Sequence, residues 1–347
     1  MSKLIIATCD AGAGHLKAAK QADRILAITH RLVTGPVRVD GSPEFFFDNR
    51  RSIYEADELF YEPWWFGGDD VDGEKLPQKA VWSRLPGTCL EYERVELWVD
   101  PDANAQLVLL QLLDWLGQIP EIASRLWLKQ AESPLGERRP GDWAFPPCAI
   151  KSADVTLASR AWSAFSAPTP EAWLALKGDP DVSRLPGLER AVEQMLGELP
   201  DRTGLGATTR RILGLVKQHE DVHSPHLSAE EGSFSPLMRR LIQSGERCPL
   251  SYFEIGQALC DLAAAPVPAL SGVTERRFDN DMHDDAERFR RFRASPLSLT
   301  PLGRSIGEGG DDWARHNPIL HWWGGTRLTN DILWRWDPAE GRLLAPH

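Results

Sequence analysis

Short apolar runs alternate with helix-spaced patterns over the first ~130 residues. Residues 4–8 (LIIAT), 24–29 (RILAIT), 94–99 (RVELWV) and 124–130 (SRLWLKQ) predict strands. Residues 14–22 (GHLKAAKQA) predict a helix, and so do residues 104–117 (NAQLVLLQLLDWLG), which are apolar on nearly every side and so expected between layers. The alternation predicts an α/β N-terminal domain over 1–135 with a parallel sheet covered on both faces. A stretch rich in proline, glycine and acids lies between the second and third strands, with Trp64, Trp65 and Trp82 embedded in it.

Breakers crowd residues 131–150, and the pattern beyond them is helical. Apolar spacing of three to four residues marks 155–167, 170–178, 187–199, 207–218, 235–245 and 251–264. Residues 136–205 are expected as a helical linker region, and 206–347 as a winged-helix-like domain ending in aromatic strands. That domain rests on three short helices followed by LSLTPLGRSIGEG (297–309), with LHWWGGTRL and DILWRWD as the closing strands.

Composition narrows the classes. The 347 residues are 42% hydrophobic and 26% charged, with a formal charge of −11. Such a balance argues against a nucleic-acid coat or a membrane-surface protein, both of which need a cationic excess. The opening residues do not read as a signal peptide, and no run is long and apolar enough to span a bilayer, so a cytoplasmic location is expected. Cys9, Cys89, Cys148, Cys248 and Cys260 are scattered without a C-x-x-C pair, which suggests reduced thiols. Cys9, beside Asp10, is expected to be a buried strand-end thiol rather than a nucleophile.

The motifs CDAGAGHL, HRLVTGP, WVDPDANAQL, LHWWGGTRL and DILWRWD together resemble the bacterial domain-of-unknown-function 1835 family across most of the chain. CDAGAGHL matches its first strand–turn–helix pattern at Asp10, Gly14 and Leu16. HRLVTGP matches at Leu32, Gly35 and Pro36, with His30 where the pattern has aspartate. WVDPDANAQL matches at Trp98, Asp102 and Gln106, with Asp100 in place of glutamate, while Pro101 and Ala105 depart from the pattern. Trp323, Gly324, Gly325, Leu328, Trp334, Arg335, Trp336 and Asp337 complete the set. The resemblance implies architecture and carries no assigned chemistry.

Candidate chemistry concentrates after the strands. In DAGAGH (10–15), Gly12, Gly14 and His15 sit where a strand feeds a helix, a position at which backbone N–H groups bind phosphate. A tight structural turn is the competing reading, since Lys17 stands where a third glycine would be and no G-K-[ST] occurs. Asp100 and Asp102 point to one side of an extended chain. If the first and third strands are parallel neighbours, these acids and Asp10 meet at the carboxyl edge of the sheet. Such a cluster suits Mg²⁺, sugar hydroxyls or acid–base chemistry; alternatively, Asp102 caps the next helix with Gln106 nearby. Arg50 and Arg51 could clamp a phosphate or carboxylate, or serve as solvated or structural charges.

The stretch HEDVH (219–223) fits the H-E-x-x-H zinc signature, with His226 as a third imidazole. Pro225 should end the helix that a zinc site requires, so zinc is not expected. DNDMHDD (279–285) lacks the glycine of a calcium loop and is expected to start a helix leading into ERFRRFR (287–293). Those arginines, with Arg276 and Arg277, are the segment best suited to nucleic acid. The leading expectation is a protein binding a small phosphate- or nucleotide-like ligand at the carboxyl edge, with or without catalysis. The alternatives are a ligand-sensing winged-helix regulator and a protein-interaction module.

Overall fold

The computed structural model describes residues 1–37, 45–59, 68–71, 74–137, 146–221, 234–243 and 248–346. The chain forms two compact units, Met1–Glu193 with Trp322–Arg327, and Gln194–His321 with Leu328–His347. The sequence pattern had set breaks at 135 and 205.

The first unit is built on a parallel sheet. Strand β1 (Lys3–Ala7) feeds α1 (Asp10–Ala18) and then β2 (Arg24–Ala27). Helix α2 (Phe46–Ala56), the β3–β4 ladder (Gly68–Val71 and Glu74–Pro77) and α3 (Gln78–Leu90) follow. Next come β5 (Arg94–Val99), α4 (Ala103–Leu116), the short α5 (Pro120–Ala123) and β6 (Leu126–Gln130). Strand β7 (Cys148–Ala149) closes one edge in antiparallel sense. Helices α6 (Ser152–Phe165) and α7 (Glu171–Leu174) lead to α8 (Leu188–Glu198).

The strand order is β2-β1-β5-β6-β7, parallel from β2 to β6. From the centre, β1–α1–β2 winds one way and β5–α4–β6 the other. Right-handed crossovers therefore put α1 and α4 on opposite faces. Ile5, Ala7, Ile25, Ala27 and Trp98 pack with Ala13 and Leu16 of α1. Leu4, Ile6, Val95, Leu97, Leu126 and Leu128 alternate with them on the other face, all buried.

Two helices were hidden in the expected irregular excursion. Helix α3 contains Pro86, a strong local signal against helix. Its stripe of Val81, Trp82, Leu85 and Cys89 is nevertheless buried, so packing overrides propensity. Helix α2 buries Phe46, Phe47, Arg50 and Tyr54 at the same spacing. Trp64 and Trp65 lie outside the described residues. The predicted helix at 14–22 starts earlier, because Cys9 is extended (φ −146°) and its sulfur accepts from the Gly12 N–H. The predicted helix at 170–178 is only one turn, followed by Gly178 at φ +82°.

The second unit is helical. It holds α9 (Ala207–Asp221), α10 (Phe234–Gln243) and α11 (Tyr252–Ala264). Strand β8 (Leu270–Ser271) pairs antiparallel with β9 (Ser298–Leu299), and α12 (Asn280–Asp284) and α13 (Ala286–Arg293) lie between them in sequence. Helix α14 (Pro301–Gly307) follows. A hairpin, β10 (Leu320–Trp323) and β11 (Thr326–Thr329), carries at its tip the residues that belong to the first unit. The β12–β13 ladder (Arg335–Asp337 and Arg342–Leu344) ends the chain's regular structure. Among the described residues, no helix is long and apolar enough to cross a membrane.

Candidate functional site at the carboxyl edge of the sheet

Strands β1 and β5 are parallel neighbours with Ala7 opposite Trp98. The expected condition is therefore met: Asp10 follows one strand, and Asp100 and Asp102 follow the other. The structure uses these side chains unequally. Asp100 is buried at 4% exposure, and its Oδ1 accepts from the Leu135 N–H at 2.7 Å. Its own N–H donates to Thr8 Oγ1 at 3.0 Å. Asp102 caps α4 by accepting from the Ala105 N–H at 3.1 Å, and its side chain stays half-buried. Asp10 is exposed in the first turn of α1, where a carboxylate complements the helix dipole.

The glycines also separate. A Cβ on Gly12 would meet Leu135 Cβ at 2.7 Å and Cys9 Sγ at 2.8 Å, so this position accepts only hydrogen. One on Gly136 would meet Ala11 Cβ at 2.7 Å. The segment after β6 thus roofs the start of α1. Gly14 faces open space, and His15 beside it is exposed. DAGAGH accordingly opens helix α1, with Gly12 packed inward and Gly14 and His15 facing outward. Burial, followed by the nearby Asp100 charge, pushes the Cys9 thiol well above its usual range, which keeps it protonated and poorly nucleophilic.

Gln106 is buried, and its Nε2 is engaged twice. Its Nε2 donates to the Asp100 carbonyl at 2.7 Å and to Gln130 Oε1 at 3.0 Å, and Gly187 packs against it without room for a Cβ. Arg50 does not reach across the edge as a clamp. It is only 2% exposed, donates to the Thr34 carbonyl and lies against Gly35 and Tyr54. The helical spacing that buries Phe46 and Tyr54 carries Arg50 inward with them. Arg51, one residue on, is exposed. Of the candidate residues at this edge, Asp10 and His15 are exposed and Asp102 is half-buried.

A neighbouring cluster escaped the sequence reading. His30 is fully buried, with its Nε2 2.7 Å from Gln111 Oε1. Phe47 and Trp82 meet its ring edge-on at centroid distances of 5.2 and 5.4 Å. Burial lowers its pKa to about 3, so the imidazole is neutral. Asn104 on α4 accepts from the Leu32 N–H at 2.7 Å and donates to the His30 carbonyl at 3.1 Å. The polar positions of an otherwise apolar α4 were the available signal for this clamp.

The remaining motifs are structural where they are described. Glu220, the water-activating position of the zinc signature, accepts from the Leu299 N–H at 2.7 Å and from Arg304 at 2.6 Å. The His219 side chain, His223 and His226 lie outside the described residues. Asp279 and Asp285 cap α12 and α13, as expected for a helix start. Between 275 and 293, six arginines stand among six carboxylates, so the segment has no net positive charge.

No family model and no curated protein matches the chain. It is similar to a solved structure of the topoisomerase II DNA-binding, cleavage and re-ligation domain from Plasmodium falciparum, with 9% identity and a TM-score of 0.32. The alignment covers 99% of this chain and 54% of that one, so the chain spans about half its length. At that score the likeness carries no argument.

Proposed function

We propose that the protein binds a small phosphate- or nucleotide-like ligand at the carboxyl edge of its parallel sheet, with Asp10, Gly14, His15 and Asp102 as the accessible contacts. One observation carries this reading. The strand order reverses direction between β1 and β5, and open α/β sheets bind ligands outside the carboxyl ends of the strands at such a switch point. Asp100, Gln106 and Gly12 support the floor and roof of this edge from inside. Its acids repel a bare phosphate, so the ligand enters with a divalent cation such as Mg²⁺ or presents hydroxyls to the carboxylates. Catalysis at this edge is an extension of the same reading, and no reaction class is assigned to it.

Calorimetric titration of ATP with and without Mg²⁺ tests the proposal. Binding should require Mg²⁺ and weaken about tenfold or more in Asp10→Asn or Asp102→Asn, roughly the loss of one charge-assisted contact. Binding indifferent to the metal and to both substitutions would sink it.

A second reading, a ligand-sensing winged-helix regulator, draws support from α9, α10 and α11 followed by the β8–β9 ladder. DNA recognition through α11 is disfavoured by its chemistry. That helix carries Glu254 and Asp261 and no lysine or arginine. Its start is covered by Phe278, which packs on Gly256 and whose ring lies 5.2 Å from that of Tyr252. Protein contact suits this unit better than a DNA groove. Kinship with the domain-of-unknown-function 1835 family is proposed on the motif residues alone, several of which, Trp98, Asp102 and Gln106, cluster at the β5–α4 junction.

A further inference from the structure

The face of the sheet shared with α1 is unevenly furnished. Over most of β1 and β2 it is apolar and covered by α1, with Lys3 at the start of β1 as the exception. Over β5 and β6 the same face carries Arg94, Glu96, Trp98, Trp127 and Lys129, by the two-residue alternation of the strands. A cavity of about 370 Å³ opens there, lined by Lys3, Gln21, Arg94, Glu96, Trp98 and Lys129, together with Met1 and Pro147. That volume falls at the small end of the range for ligand sites.

Its charges do not cancel. Lys3 and Arg94 are direct register partners on neighbouring strands, an arrangement of like charges that costs stability. Lys129 is the third cation, on the next strand. The one carboxylate of the lining, Glu96, is engaged through both oxygens, with Arg94 Nε at 2.8 Å and Trp98 Nε1 at 2.8 Å. Two cations are pinned on aromatic faces: the Lys129 ammonium lies 4.0 Å from the Trp98 ring centre and the Arg94 guanidinium 4.0 Å from that of Trp127. A ligand would therefore meet preorganised charge and pay little to order it. Burial, and then the repulsion of Lys3 and Arg94, hold the Lys129 pKa below its usual value against the pull of Glu96. All of this stands in a chain of net charge −11.

We infer that this cavity is a binding site for a dianionic phosphate monoester, whose two charges complement the excess of three cations over one carboxylate. The cavity leaves room for a small organic group beyond the phosphate. This inference is independent of the carboxyl-edge reading, since it uses a different part of the sheet and needs no metal.

Calorimetry with phenyl phosphate, benzoate and inorganic phosphate in metal-free buffer at constant ionic strength tests it. Phenyl phosphate should bind about tenfold or more tightly than benzoate. Its affinity should rise as pH passes about 6, where phosphate esters take their second charge. Lys129→Met should weaken binding about tenfold or more, and so should Lys3→Gln, a half-buried position whose substitution leaves the core intact. Asp10→Asn should leave this binding unchanged. Equal affinity for benzoate and phenyl phosphate, an absence of binding in the wild type, or binding unaffected by Lys3→Gln would each overturn the assignment.

Discussion

Glu198 shows how one residue can set a pH dependence opposite to that of most carboxylates. Its Oε1 accepts from Thr208 Oγ1 at 2.5 Å and from the Thr208 N–H at 3.2 Å. Burial nevertheless dominates and raises its pKa from 4.5 to about 7, with Glu254 adding repulsion and Arg210 opposing it. A raised folded-state pKa means the folded protein holds a proton that the unfolded chain releases near pH 4.5. The contribution to stability is complete below that pH and is lost as pH rises through about 7. Urea midpoints should therefore fall across this window and level off above it. In Glu198→Gln, which keeps an oxygen acceptor for Thr208, that part of the slope should vanish. An unchanged slope in the variant would refute the assignment.

At the scale of the element, the polar exceptions in the apolar helix α4 are organised. Its apolar positions bury it, as the pattern predicted, and three of its polar positions each hold a different piece of chain. Asn104 grips the residues after β2, Gln106 holds the end of β5, and Gln111 holds His30. Asn104→Ala would leave the Leu32 N–H and the His30 carbonyl buried without these bonds. The expected cost is about 2–4 kcal/mol, the desolvation of two backbone groups. Gln118→Ala removes an exposed bond to Ser159 and serves as the control, with an expected change within about 0.5 kcal/mol. Equal midpoints for the two variants in chemical denaturation would mean that the clamp adds nothing.

The molecule as a whole depends on a long-range return of the chain. Trp322–Arg327 belongs to the first unit, where Trp323 packs on Phe165 at 5.2 Å and the Gly324 carbonyl accepts from the Val37 N–H at 2.8 Å. Asp57 takes Trp322 Nε1 at 2.9 Å and the Arg327 guanidinium at 2.9 and 3.0 Å, and these bonds hold its pKa below the usual carboxylate range. A fragment of residues 1–193 would expose Phe165 and leave Asp57 without these donors. It should melt below the full chain by several degrees or fail to fold cooperatively, as thermal unfolding followed by circular dichroism would show. A fragment as stable as the full chain would argue that the returning hairpin is dispensable.

The sequence by itself determined the parallel sheet, the buried α4 and the helical second half. Apolar periodicity is a local consequence of which faces meet water, and it survives without knowledge of the partner. It also determined that Asp10, Asp100 and Asp102 follow strands. Only tertiary structure decided what those acids do. Strand order made β1 and β5 neighbours, and the segment at Leu135 arrived from beyond β6 to occupy Asp100 and close over Gly12. The inward turn of Arg50, the helix through Pro86 and the burial of His30 were likewise fixed by packing that outweighs local preference. The cationic face of β5 and β6 was present as an alternation in RVELWV and LWLKQ. It became a site only because α1 covers β1 and β2, leaving the charged half of the same face for a ligand.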